Sequence, residues 1–134
     1  MPGMEAASSY TDLRRQEAIS AKRLYAVDAV FGPDSPAAEL GPLTDLAVRA
    51  VAAGGGHVLD ASHVIFPNGA ITLVLILAES HLSIHTWPEE SLIAIDLFSC
   101  GAIDGQQVID ELVGGLALVQ VAVTQVARGA RELS

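Results

Sequence analysis

Apolar positions along this chain recur with two periods, and the switches between them mark its elements. Lys22 to Phe31 reads as a first strand, stopped by Gly32-Pro33. Ser35-Pro36 has the form of a helix start, with Ser35 as N-cap and Pro36 at the first helical position. Gly41-Pro42 interrupts that helix or restarts it. From Leu43 the period is helical: Leu43, Leu46, Ala47, Ala50 and Val51 share one face, and Gly54-Gly55-Gly56 ends the run. His57 to Phe66 reads as a second strand, and Pro67-Asn68-Gly69 is a turn signal. Ile71 to Leu77 is a third strand, apolar on both faces and so expected to be central or covered on both sides. His81 to Thr86 and Leu92 to Phe98 follow, separated by Trp87-Pro88-Glu89. Asp104 to Leu118 is predicted helical, with Val108, Ile109, Leu112 and Leu116 inward. Gly114-Gly115 weakens it by roughly 1 kcal/mol per glycine. Val119 to Val126 is a last strand.

This order predicts an α/β domain of the α+β type. It is a two-layer sandwich with a mainly antiparallel sheet and helices on one face. The other face also needs cover, and a second copy is the simplest source, so a homodimer or higher homo-oligomer is expected. The 134 residues fit one domain, placed at 21–134. The polar stretch 1–20 reads as a flexible tail with a short helix over Asp12 to Ala18.

Composition narrows the partners. Apolar residues make up 51% of the chain, yet no apolar run reaches the roughly 18 residues that a membrane span needs. The longest, Ala70 to Ala78, is broken by Thr72. Net charge is −9 and the seven basic residues are scattered, which argues against nucleic acid and favours a small cationic ligand. Cys100 is the sole cysteine, so no disulfide forms within the chain. Together with an N-terminus that lacks the apolar core of a secretory signal, this points to the cytoplasm.

Reactive side chains crowd between Glu79 and Cys100, directly after the wholly apolar third strand. Ser80, His85 and Asp96 supply the residue types of a hydrolase triad, but Ser80 lacks a G-x-S-x-G elbow. His81 and His85 have the spacing of a helical zinc pair, yet on a strand that spacing puts the rings about 13 Å apart. No metal is expected. A third chemistry is decarboxylation through a carbonyl cofactor. Pyridoxal phosphate enzymes hold that cofactor on a lysine. The single lysine, Lys22, lies far in sequence from the cluster, so no pyridoxal phosphate is expected. A chain can instead make a carbonyl from a serine. The hydroxyl attacks the preceding peptide carbonyl to form an ester. Loss of the serine α-proton expels the ester as a carboxylate and leaves dehydroalanine. Hydrolysis then gives a pyruvoyl group and ammonia.

The run Glu79-Ser80-His81-Leu82-Ser83-Ile84-His85-Thr86-Trp87-Pro88-Glu89, followed by Ile95-Asp96-Leu97-Phe98-Ser99-Cys100-Gly101, closely resembles the prokaryotic S-adenosylmethionine decarboxylase family. That resemblance implies a cut between Glu79 and Ser80, giving a β chain of residues 1–79 and an α chain of residues 80–134. It implies that Ser80 becomes the pyruvoyl group and forms a Schiff base with the substrate amine. His85 matches the histidine of self-processing, and Cys100 the proton donor that quenches the carbanion. Cys100→Ala is therefore expected to spare the cut and reduce decarboxylation. Glu89 matches a glutamate near the substrate, and an aromatic that stacks on adenine is expected at Ile65-Phe66. The family forms dimers of α/β sandwiches, needs no added cofactor, and supplies spermidine biosynthesis.

Ser80 and His85 are five residues apart and would face opposite sides of an unbroken strand, so either the chain bends between them or His85 comes from a neighbouring strand position folded back. Two departures from the family pattern fall near the substrate. Pro67-Asn68-Gly69-Ala70-Ile71-Thr72-Leu73 replaces a P-x-G-x-S-G turn with bulkier residues and one extra position, leaving Thr72 to stand in for the serine hydroxyl. Glu90-Ser91-Leu92 follows W-P-E where an aromatic or glycine is usual. Glu90 could pair with an amine or guanidinium. The substrate is expected to be S-adenosylmethionine, with L-ornithine or L-arginine as the alternative on the same chemistry. A non-catalytic partner subunit is the reading from another class.

Overall fold

A computed structural model describes residues 22–129; the tail and the predicted helix over Asp12 to Ala18 lie outside the described residues. The elements are β1 (Lys22–Phe31), α1 (Leu40–Ala53), β2 (Val58–Ile65), β3 (Ile71–Leu77), β4 (Ser80–Trp87), β5 (Leu92–Ser99), α2 (Gly105–Gly115) and β6 (Leu118–Arg128). Single 3-10 turns occupy Pro36–Ala38 and Pro88–Glu90. The strands form one six-stranded sheet in the order β2-β3-β4-β5-β1-β6. Every neighbouring pair is antiparallel.

The core lies between the sheet and the two helices. Leu43, Leu46, Ala47, Ala50 and Val51 of α1 and Val108, Ile109 and Leu112 of α2 are buried, as the helical period predicts. They pack on Val27, Leu73, Leu75, Leu82, Ile84, Ile95 and Leu97, the alternate residues of four strands. At Gly54 the helices touch so closely that a Cβ would sit 2.5 Å from Val108 Cγ2 and 2.7 Å from the Asp104 carbonyl oxygen. Asp104 also caps α2, its carboxylate accepting from the Gln107 N–H at 3.1 Å.

Several local expectations change. Ser35 caps only the 3-10 turn Pro36–Ala38, accepting from the Ala37 N–H at 3.1 Å. The α-helix starts anew at Leu40 and carries Gly41-Pro42 in its first turn, where a missing N–H loses no helical bond. The second helix ends at Gly115, because Ala117 turns at φ 52° into β6. Within one chain β3 is covered on one face only: Ile71, Leu73, Leu75 and Leu77 are buried, while Ile76 across the strand is 47% exposed. Finally, β4 runs unbroken through Ser80 and His85, so the chain neither bends nor folds back between them.

Candidate active site

The third and fourth strands are joined by two residues only, Ala78 and Glu79, with Leu77 paired to Ser80. Two-residue hairpins favour turns with positive φ at their central residues, which match the twist of the strands. Neither Ala78 nor Glu79 has positive φ; Ser80 has it instead, at 132°. This region is sparsely populated for a side-chain-bearing residue and stores strain. The turn is also buried, Ala78 and Glu79 being 1% exposed each. A buried turn must satisfy its polar groups internally.

It does so from two sides. The Glu79 carbonyl oxygen accepts the Cys100 N–H at 3.1 Å. It also accepts from Cys100 Sγ at 3.1 Å. On the far side the Glu79 carboxylate contacts His57, through the backbone N–H at 2.9 Å and ring Nδ1 at 2.7 Å. The carbonyl before Ser80 is thus held by two donors at the end of β5, next to a serine forced into positive φ. A cavity of about 350 Å³ opens beside Cys100, lined by Arg23, Tyr25, Ser99 and Gly105.

The remaining predicted residues lie elsewhere. In β4 the five-residue step from Ser80 to His85 covers about 16 Å. His85 is on the open face, opposite Thr72 in register, with Thr72 Oγ1 at 3.2 Å from its Nδ1. Glu89 and Glu90 sit exposed in the turn beyond Trp87, and Glu89 accepts from Asn68 Nδ2 at 3.2 Å. Phe66 is 46% exposed just past β2, at that same end. One chain therefore brings Glu79, Ser80 and Cys100 together at one end of the sheet. It leaves His85, Thr72, Phe66, Glu89 and Glu90 towards the other.

His81 stacks on Phe98 with ring centroids 6.0 Å apart. Arg128 covers the same Phe98 at 5.6 Å. Among the described residues no group of three or more His, Cys, Asp or Glu could hold a metal ion. No helix of the described residues is long and apolar enough to cross a membrane. His57 escaped the sequence reading. Its partner is 22 residues away, and only the burial of Glu79, invisible in a pattern of types, creates the need for it.

A one-sheet α+β sandwich with a strained serine next to a cradled carbonyl is consistent with one class, the pyruvoyl-dependent decarboxylase proenzymes. Within that class the chain belongs to the S-adenosylmethionine decarboxylase family, whose sequence model matches residues 26–129. It is 38% identical over 87 residues to S-adenosylmethionine decarboxylase proenzyme 2 of Bacillus cereus, covering 64% of this chain and 71% of that one. It is 43% identical over 88 residues to the S-adenosylmethionine decarboxylase proenzyme of Brevibacillus brevis, covering 64% and 65%. The crystal structure of the adenosylmethionine decarboxylase from Aquifex aeolicus superposes with a TM-score of 0.72 at 25% identity, over 86% of this chain and 97% of that one.

Proposed function

We propose that this chain cuts itself between Glu79 and Ser80, converts Ser80 to a pyruvoyl group, and decarboxylates S-adenosylmethionine for polyamine synthesis. The observation that carries the cut is the Glu79 carbonyl, held by Cys100 N–H and Sγ behind a serine at φ 132°. When the Ser80 hydroxyl adds to that carbonyl, negative charge grows on the oxygen the two donors already face. Preorganised donors of this kind are worth about 10²–10³ in rate each in known oxyanion holes. Expulsion of the Ser80 nitrogen then relieves the backbone strain. The pyruvoyl carbonyl supplies the site that holds the substrate amine and takes up the electrons left by departing CO₂. In this reading Cys100, which lines the cavity, returns the proton.

His85 cannot serve Ser80 of its own chain across about 16 Å of straight strand. A second copy laid antiparallel on the open face would bring its His85, Phe66, Glu89 and Glu90 towards this chain's Ser80. That face carries Ile76, Phe98 and Val126 in solvent or half-buried, which suits an interface. In this reading Thr72 orients the His85 ring through Nδ1, taking the place of a serine hydroxyl. The relatives favour S-adenosylmethionine over ornithine and arginine. Intact mass under denaturing conditions should give two chains broken before residue 80; a single chain of 13.9 kDa would overturn the reading. The processed protein should release CO₂ from S-adenosylmethionine and not from ornithine or arginine.

A further inference from the structure

We propose that His57 is a positioning residue for self-cleavage, acting through the Glu79 side chain; this rests on the cut proposed above. His57 grips the two residues before the cut at three points. Its carbonyl accepts the Ala78 N–H at 2.9 Å. Its own N–H reaches Glu79 Oε1 at 2.9 Å. Its ring Nδ1 reaches Glu79 Oε2 at 2.7 Å. The carboxylate is 1% exposed, whereas the His57 side chain is 56% exposed. A buried carboxylate needs partners for both oxygens; the His57 N–H meets Oε1, and the ring is the partner of Oε2.

The grip has a mechanical meaning. Glu79 is held by its side chain from the His57 side and by its carbonyl from the Cys100 side. Between these anchors the residue has no freedom to rotate its carbonyl away from Cys100. The turn then transmits its misfit to Ser80, where φ reaches 132°. Without the ring, Oε2 would lose its partner and only the backbone N–H would hold the carboxylate, so the turn would loosen and both the strain and the carbonyl's alignment would relax. A misplacement of about 1 Å can slow a reaction by roughly 10²-fold. An ordinary ion pair would instead stabilise the hairpin and leave the cutting rate alone.

The test follows cleavage of the full chain after cell-free synthesis, by intact mass against time, in the parent, His57→Leu, His57→Asn, Glu79→Gln and the Leu/Gln double variant. His57→Leu should cut at least about 10-fold more slowly, in keeping with loss of alignment. His57→Asn, whose amide can donate to the carboxylate, should recover most of the rate. In the double variant the two effects should not multiply, because they remove one interaction. Parent-rate cutting by His57→Leu overturns the proposal. So do equal slowing by Leu and Asn, or multiplicative effects in the double variant. If His57→Leu shows no cooperative melt, His57→Asn decides: slow cutting by this folded chain overturns the proposal, and near-parent cutting supports it. An uncut parent overturns the cleavage reading and this inference with it; a cut parent with an indifferent His57 overturns this inference alone.

Discussion

Cys100 makes two contacts that its motif does not foretell. The motif places it in proton return alone, yet its N–H and thiol both face the Glu79 carbonyl. Cys100→Ala removes one of those donors and leaves the other. It should therefore slow the cut by about 10-fold or more, rather than spare it, while Cys100→Ser, which keeps a donor, cuts faster than Cys100→Ala. Intact-mass time courses separate these outcomes. Thr72→Val keeps volume and removes the hydroxyl at 3.2 Å from His85 Nδ1. The expected result is a folded chain with slower cutting, read by circular dichroism and mass together. The reactive types, Ser80, His85 and Cys100, were legible because they lie in one short run. Their distribution over two ends of the sheet was not, since a motif lists neighbours in sequence and a strand spends about 3.3 Å on each.

At the scale of elements, the hairpin between β3 and β4 concentrates the strain. Ser80→Ala and Ser80→Gly should both stay uncut. Glycine accepts positive φ freely, so Ser80→Gly should melt higher than Ser80→Ala, by about 1–3 kcal/mol if the whole backbone penalty is released. Equal melting would show that no strain is held there. The helix pair offers an independent check: Gly54→Ala drives a methyl against the Asp104 carbonyl and Val108. A loss of about 1–3 kcal/mol in urea unfolding is expected. Strand and helix order could be read from apolar runs, turn signals and the helical period, even though β2 and β6 bury no face within one chain. Their ends could not. The second helix stops where Ala117 takes φ 52°, and the first restarts after a 3-10 turn. Such backbone choices are set by contacts across the fold.

For the whole molecule, the question is whether one copy suffices. Co-expressed Ser80→Ala and His85→Ala chains should yield cut His85→Ala chains if the histidine comes from a second copy. No cutting at all would place it within one chain. The strand order adds something further. After the proposed cut, β1, β2 and β3 belong to one fragment and β4, β5 and β6 to the other. Yet β1 lies between β5 and β6, and β3 lies against β4. The fragments are interleaved, so neither can leave without breaking the ladders on both sides of β1. The break at residue 79 removes one covalent link from a sheet that stays whole. Unfolding nonetheless changes molecularity, from one chain coming apart to two strangers separating. Thermal stability should therefore depend more steeply on protein concentration after the cut than before it.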